Sequence, residues 1–301
     1  MSSRIDRRWL SVLYLGLVAS FLAAGCGESS SDSIARADAT GRGSHTVVIV
    51  LENREFSEVV GSEEAPYFNR LIERGALATR FYGLLHPSLP NYLALIGGST
   101  FGIGDNCTDC LATGPNLATQ MSAADISWRA YMGGMPMPCF AGVETSEYVK
   151  KHNPFMYFPS LTSRPRLCER VVPESALRAD LGGHELPEFA WISPGICDDG
   201  HGCPTSFADA YLRRRVPQIL RQLGPDGLLA ITYDEGTSDA GCCGDAVGGR
   251  IPTLLLGPAV RAGTRLPRPY TLYSLLATLE DRFALPRLRH ARSAPAMTPA
   301  F

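Results

Sequence analysis

The chain is expected to fold as an α/β domain on a mainly parallel sheet flanked by helices, and three observations lead there. Residues 47–53 read VVIVLEN and residues 228–235 read LLAITYDE. Each is a continuous apolar run rich in β-branched residues, the pattern of a strand buried on both faces of a parallel sheet. Runs of this kind alternate with segments of helical periodicity, as βαβ units do. Both runs also stop on acidic or amide side chains, and open α/β sheets collect their functional groups beyond the carboxyl ends of the strands. The 301 residues suffice for one large or two small domains, and 45% hydrophobic with 19% charged residues is ordinary globular composition.

The elements follow in order. After the first strand, Pro66 to Gly75 reads as a helix. Phe68, Leu71 and Ile72 make its apolar face, with proline at the start and glycine at the stop. Residues 76–83 read as a second strand. Pro90 opens a helix that runs to about Ile96, and residues 101–114 form a loop containing glycine and cysteine. Residues 116–124 are helical and 126–132 strand-like. Residues 133–187 are irregular, with many prolines and two cysteines, and read as an inserted cap. FAWISPG at 189–195 is a strand. A helix over 206–223 is expected to kink or break at Pro217. Strands at 228–233 and 251–257 and a helix over 271–283 complete one domain spanning 45–290, with 291–301 a tail. There is no internal repeat.

The amino terminus reads as a targeting segment. Arg4, Arg7 and Arg8 precede an apolar stretch from Trp9 to Ala24 that ends AAGC. The stretch is too short and too sharply terminated for a spanning helix. Residues 1–26 resemble a bacterial lipoprotein signal in which Cys26 becomes the lipidated first residue, although Leu22 lies one place further from the cysteine than is usual. Residues 27–44, rich in Ser, Gly, Ala and Asp, read as a flexible tether. The expectation is an exported protein, lipid-anchored to a bacterial membrane and facing the periplasm or the exterior. A formal net charge of −2 without a long basic block excludes nucleic acid as a natural partner.

Eight cysteines remain after Cys26: Cys107, Cys110, Cys139, Cys168, Cys197, Cys203, Cys242 and Cys243. An even number in an exported chain favours disulfides. Cys107–Cys110 and Cys139–Cys168 are plausible pairs, and zinc binding at 107/110 and 242/243 is the alternative.

Glu52, Asn53, Asp234 and Glu235 can meet on one rim of the sheet. Three carboxyls there repel one another unless a cation lies among them, so the four outline a metal site. In HPSLPNYLALIGGS (86–99), Ser88 lies just before a helix amino terminus, an electropositive end with free amide donors. Two readings stand: a nucleophile for phosphorus activated by metal, or a simple helix cap. Asn91, on the first turn, can donate to a phosphate oxygen. Asp198, Asp199 and His201 form a second cluster: either a second metal site or a general acid, or a polar turn pinned by Cys197 and Cys203. Lys151 and His152 are either phosphate contacts or a solvated lysine and a structural histidine. Asp239 in the glycine-rich 236–249 loop is a weaker candidate.

Taken together, LEN (51–53), HPSLPNYLALIGGS (86–99), KKHNPF (150–155), DDGHGC (198–203) and YDEG (233–236) followed by GGRIPTLLLGP resemble the bacterial phosphoesterase family. That family includes acid phosphatases and phospholipase C enzymes and belongs with the alkaline phosphatase superfamily. The resemblance covers roughly residues 45–290, and the short length resembles the acid phosphatase branch. It implies an alkaline phosphatase-like fold with an irregular, disulfide-containing insertion. Ser88 would be the nucleophile and Asn91 the phosphate holder, with Glu52, Asn53, Asp234 and Glu235 around a divalent metal. Oxygen ligands suit calcium or magnesium, and histidine-rich zinc sites elsewhere in the superfamily keep zinc open.

One departure stands out. Relatives usually carry a histidine ahead of the last helix, where this chain has Leu272. The implied function is a metal-dependent phosphomonoesterase working through a phosphoserine, with a small phosphate ester or a phospholipid headgroup as substrate. A phospholipase C-type phosphodiesterase and a non-catalytic phosphate- and metal-binding lipoprotein are the alternatives, the second motivated by Leu272.

Overall fold

The structure, a computed structural model, describes residues 43–301. The signal segment, Cys26 and nearly all of the tether fall outside the described residues. The strands are β1 (Thr46–Leu51), β2 (Ala76–Ala78), β3 (Phe81–Tyr82), β4 (Trp128–Met132), β5 (Val171–Pro173), β6 (Phe189–Ser193), β7 (Leu228–Tyr233), β8 (Thr253–Leu256), β9 (Thr264–Leu266) and β10 (Tyr270–Thr271). The helices are α1 (Phe56–Val59), α2 (Pro66–Ile72), α3 (Ser88–Gly97), α4 (Leu117–Ala123), α5 (Pro159–Thr162), α6 (Pro165–Cys168), α7 (Ser175–Gly183), α8 (Thr205–Leu220) and α9 (Leu272–Arg282).

Eight strands form one sheet in the order β5-β4-β6-β1-β7-β8-β2-β9, and β3 pairs with β10 in a small second sheet. In the large sheet β8 runs antiparallel to β7 and β2, and every other pairing is parallel. The expected mainly parallel sheet is therefore present. Every residue of β1 and of β7 is buried, as continuous apolar runs require of central strands. Their register places Leu51 opposite Tyr233. Glu52 and Asp234 therefore leave the sheet side by side, and the Asp234 amide still donates to the Leu51 carbonyl at 3.0 Å.

Several expectations need correction. The run at 251–257 is a strand, but an antiparallel one. Residues 76–83 split into β2 and β3. The segment 133–187 is only partly an insertion: β5 joins the sheet edge beside β4, and α7 follows it. Pro217 lies in the last turn of α8, and the helix continues through it to Leu220. Residues 291–301 are not a free tail. Ala291, Met297 and Ala300 are fully buried, and the Met297 amide donates to Thr278 Oγ1 at 2.8 Å.

The eight cysteines form four disulfides, Cys107–Cys110, Cys139–Cys168, Cys197–Cys203 and Cys242–Cys243. That pairing leaves no thiolate for the zinc alternative.

Helix α2 has no cap of its own, since Ala65 precedes it without a side-chain acceptor. Asp209 of α8 supplies one from across the core, accepting from the Tyr67 amide at 3.0 Å and the Phe68 amide at 2.7 Å. A charged acceptor on two orphan helix donors is worth more than a neutral bond. Asp209→Ala should lower unfolding free energy by about 2 kcal/mol in a chemical denaturation series.

Glu280 of α9 has a fully buried side chain that accepts from the Leu288 amide at 2.8 Å, while its other oxygen has no partner. Burial pushes its carboxyl up to about 8; the Leu288 amide and Arg287 oppose that shift. The folded state thus prefers the protonated form. The stability Glu280 contributes is fully present below the ordinary carboxyl value near 4.5 and is lost as pH rises through about 8. Glu280→Gln should remove that loss: its melting temperature relative to wild type should rise between pH 5 and pH 8, as thermal scans at the two pH values would show.

Candidate active site

The site is built where β1, β7, the loop after β6 and the amino terminus of α3 meet. Glu52, directly after β1, is fully buried, and its amide donates to the Asp199 carbonyl at 3.0 Å. Asn53 follows with φ 50°, a left-handed conformation that asparagine tolerates. That turn aims its amide at Asp234 Oδ1 (3.1 Å) and its side-chain nitrogen at Glu52 Oε2 (3.3 Å).

Ser88 is the first residue of α3 and is 1% exposed. Its hydroxyl lies 3.2 Å from Glu52 Oε2 and 3.0 Å from Glu235 Oε1, so it sits between a carboxylate from β1 and one from β7. Tyr92, one helical turn on, faces the same way. Its hydroxyl donates to Glu52 Oε1.

His152 bridges two acids. Nε2 lies 3.2 Å from Glu52 Oε2 and Nδ1 lies 3.0 Å from Asp199 Oδ2, with the ring stacked on Tyr92. At the rim, Lys151 Nζ meets His201 Nε2 at 2.9 Å, and the His201 amide donates to Asp199 Oδ1 at 2.7 Å. On the other side His86 contacts Glu235 through Nδ1, and its Nε2 is 3.1 Å from the Ser238 carbonyl.

The electrostatics follow from this crowding. Burial resists ionisation of Glu52, but the His152 charge and hydrogen bond, the Tyr92 hydroxyl and Lys151 outweigh it and hold the carboxyl below its usual value. His152 is pushed up to about 9 because Glu52 and Asp199 overcome its own burial. Asp199 rises to about 6, chiefly through burial. Asp234 rises well above the carboxylate range, through burial first and then the charges of Glu52 and Glu235. Burial raises Glu235 as well, against the opposing contact with His86.

Such a cluster has room for a cation in its charge balance. Asp234 Oδ2 is buried without a hydrogen-bond partner, and its neighbours are two more carboxyls. A buried acceptor left unpaired among like charges is what a divalent ion would satisfy. The carboxylates of Glu52, Asp234 and Glu235, the side-chain carbonyl of Asn53 and the Ser88 hydroxyl offer hard oxygen donors. A second possible set, Glu52, His152 and His201, offers ligand atoms within 4.8 Å of one another. There the Lys151 ammonium already occupies His201 Nε2, which disfavours a cation at that nitrogen.

The sequence-derived residues divide accordingly. Glu52, Asn53, Ser88, His152, Asp199, Asp234 and Glu235 come together, with Lys151 and His201 at the rim. Asn91 does not face them. Its carbonyl oxygen accepts from the amides of Leu84 and Leu85, and its nitrogen donates to the carbonyls of Leu85 and Pro87. It shapes the loop that delivers Ser88 instead of offering a donor to phosphate. Asp198 is also turned away, paired on the surface with Arg214 at 2.8 Å. Asp239 is almost fully exposed and 4.0 Å from His86 Nε2. Leu272 is buried in the core at the first residue of α9, so no imidazole enters from that helix.

Three contributors escaped the sequence reading. His86 stood two residues before Ser88 inside a motif already singled out. Tyr92 stood four after it, at the spacing that shares a helix face. Arg54 had no such signal. It ties the end of β1 to the Cys197–Cys203 loop by bonds to the carbonyls of Asn53, Gly200 and Cys203 at 2.7–2.8 Å.

The model of the phosphoesterase family matches residues 62–286, three quarters of the chain and every site residue from His86 onward. The chain belongs to the phosphoesterase family. With that family come hydrolases of phosphoric esters, which speaks against the non-catalytic alternative.

This phosphoesterase is 29% identical over 303 residues to a phosphatidylinositol-3-phosphatase of Mycobacterium tuberculosis, covering 99% of this chain and 96% of that protein. It is 30% identical over 252 residues to an acid phosphatase of Aspergillus fumigatus, covering 79% of this chain and 54% of the relative. A phosphate-repressible acid phosphatase of Penicillium chrysogenum is 32% identical over 258 residues, with 80% and 59% covered. The chain thus spans little more than half the length of these fungal relatives. Among solved structures, an alkaline phosphatase superfamily protein from Vibrio parahaemolyticus superposes with a TM-score of 0.57 at 12% identity, covering 84% of this chain and 70% of that one. A phosphonate monoester hydrolase of Agrobacterium radiobacter gives 0.57 at 15% identity, with 85% and 76% covered. The alkaline phosphatase-like fold of this phosphoesterase is thereby established.

If the carboxylates hold the metal, Asp234→Asn should weaken binding of magnesium or calcium roughly 100-fold while the circular dichroism spectrum stays unchanged. Calorimetric titration of the metal-stripped protein measures this.

Proposed function

We propose that this protein is a metal-dependent phosphomonoesterase of acid phosphatase type whose nucleophile is Ser88. The observation that carries the reading is the position of the Ser88 hydroxyl, buried at a helix amino terminus and within hydrogen-bond distance of both Glu52 and Glu235.

The amino terminus of α3 favours the negative charge of an arriving phosphoryl group. Ser88 Oγ bonds to phosphorus as the bond to the leaving oxygen breaks, and its proton passes to a neighbouring carboxylate. Water then attacks the phosphoserine, releasing inorganic phosphate and restoring the hydroxyl. A divalent cation held by Glu52, Asn53, Asp234 and Glu235 would supply positive charge for the serine alkoxide and for the transferring oxygens. The all-oxygen donor set favours calcium or magnesium over zinc. Tyr92 orients Glu52 through Oε1, the oxygen away from Ser88, His152 stands against Oε2, the oxygen that Ser88 also meets, and His86 orients Glu235. Lys151 and His201 at the rim are placed to meet phosphoryl oxygens and to transfer a proton to the departing alcohol. With three histidines already at the site, Leu272 removes no group this scheme requires.

The substrate class is a phosphate monoester. The likeness to a phosphatidylinositol-3-phosphatase over almost the full chain supports a phosphorylated lipid headgroup as one such monoester. We also place the enzyme outside the cytoplasm, anchored through Cys26. Four disulfides and the amino-terminal apolar stretch support that placement.

The test compares p-nitrophenyl phosphate with its bis ester, with and without chelator. The monoester should be cleaved in preference, and chelator should abolish turnover until a divalent ion is restored. Ser88→Ala should lower kcat by at least about a thousandfold with the fold intact. Preference for the bis ester would move the reading to a phosphodiesterase, and wild-type turnover in Ser88→Ala would remove the serine from the mechanism.

A further inference from the structure

Far from the catalytic strands, the edge of the sheet carries a concentration of positive charge that the phosphoesterase reaction does not use. From residue 246 to residue 279 the sequence holds four arginines, at 250, 261, 265 and 268, and no aspartate or glutamate. In a chain of net charge −2 this is a marked local imbalance.

Three of the four, Arg261, Arg265 and Arg268, line a single cavity of about 460 Å³ together with Thr264, Tyr270 and Pro299. That volume is within the range of small-molecule sites. The cavity is built on β9, the outermost strand, four strand positions from β1 in the sheet order. At ~4.8 Å per strand that is roughly 19 Å from the strand that bears Glu52.

Two of the three guanidiniums are held, and the three together are not neutralised. Arg261 is positioned by a bond to the Pro299 carbonyl, and its own amide donates to the Ala300 carbonyl at 2.9 Å. The docked carboxyl-terminal segment therefore forms one wall. Arg265 meets Glu73 at 3.0 Å, but both side chains are exposed, and a surface pair of this kind is easily exchanged for a better anion. Arg268 has no hydrogen bond or ion pair among the described residues. The cavity thus presents three planar forks against one replaceable carboxylate. Such forks match phosphoryl oxygens two at a time, and several of them together call for more than one negative charge. Pro267, over the buried Leu266 and Tyr270, gives the cavity an apolar side.

We propose that this cavity is a second, non-catalytic site that binds a small molecule carrying two or more phosphoryl groups. The same chemistry is available from a soluble oligophosphate and from a phosphorylated lipid headgroup, and the experiment separates them.

The full chain is titrated calorimetrically with methylenediphosphonate, whose P–C–P bond resists hydrolysis, in wild type, Ser88→Ala and Arg261→Ala/Arg268→Ala. A binding component should persist in Ser88→Ala and weaken roughly tenfold or more in the double arginine variant. The double variant should keep its melting temperature and its turnover of p-nitrophenyl phosphate. Arg268→Lys, which keeps charge but loses the fork, should bind more weakly than wild type. In a parallel arm, flotation with phosphatidylcholine vesicles, with and without phosphatidic acid, compares the same proteins. Arginine-dependent flotation only with phosphatidic acid identifies a lipid headgroup, and its absence beside arginine-dependent calorimetric binding identifies a soluble ligand. Binding that is unchanged by the arginine substitutions in both arms, or that vanishes in Ser88→Ala alone, overturns the proposal. The arginines would then serve only to keep the exposed edge of β9 from pairing with another strand.

Discussion

The catalytic end of this protein depends on one buried negative charge. Glu52 has no solvent exposure, and a lone carboxylate in such a place would be costly enough to protonate. It stays ionised because His152 stands against one of its oxygens, the Tyr92 hydroxyl against the other, and Lys151 lies nearby. His152 in turn needs Asp199 on its far nitrogen, and Asp199 is held by the amide of His201. A chain of alternating charges therefore runs from the rim to the end of β1. Loss of any member leaves its neighbour unpaired in a low-dielectric setting, where unpaired polar groups are most expensive.

The opposite flank works differently. Asp234 and Glu235 are both raised, and the buried second oxygen of Asp234 is unpaired. On the Glu52–His152 side the protein supplies its own counter-charge, whereas around Asp234 it does not. The uncompensated charge therefore lies on the β7 side of Ser88, and Leu272 of α9 adds no ionisable group to either flank. The serine lies on the boundary between the two flanks, with one carboxylate from each within reach.

The scaffold makes these contacts possible by rigid means. The parallel register of β1 with β7 delivers Glu52 and Asp234 at the same level. Arg54 fastens the first of these strand ends to the disulfide-closed loop that carries Asp199 and His201. Asn91 fastens the loop before Ser88 with four backbone bonds. Residues that resemble substrate ligands in a linear motif thus turn out to hold backbone, since a tight loop at a helix start leaves amides that something must satisfy.

The sequence by itself determined the α/β class, the central strands and the acid-bearing ends of β1 and β7, because buried parallel strands write themselves as uninterrupted apolar runs. It also determined Ser88 at a helix start, through the local signal of Pro90 and the apolar turn after it. Tertiary structure alone decided the rest. Nothing local distinguishes Asp199, which turns inward to His152, from Asp198, which turns outward to Arg214. The same holds for Asp209 capping α2 across 141 residues, for the antiparallel sense of β8, for β5 inside a segment that reads as irregular, and for the docked residues 291–301. In each case the deciding partner is distant in sequence, and a side chain's direction is set by which partner the folded chain brings within hydrogen-bond reach.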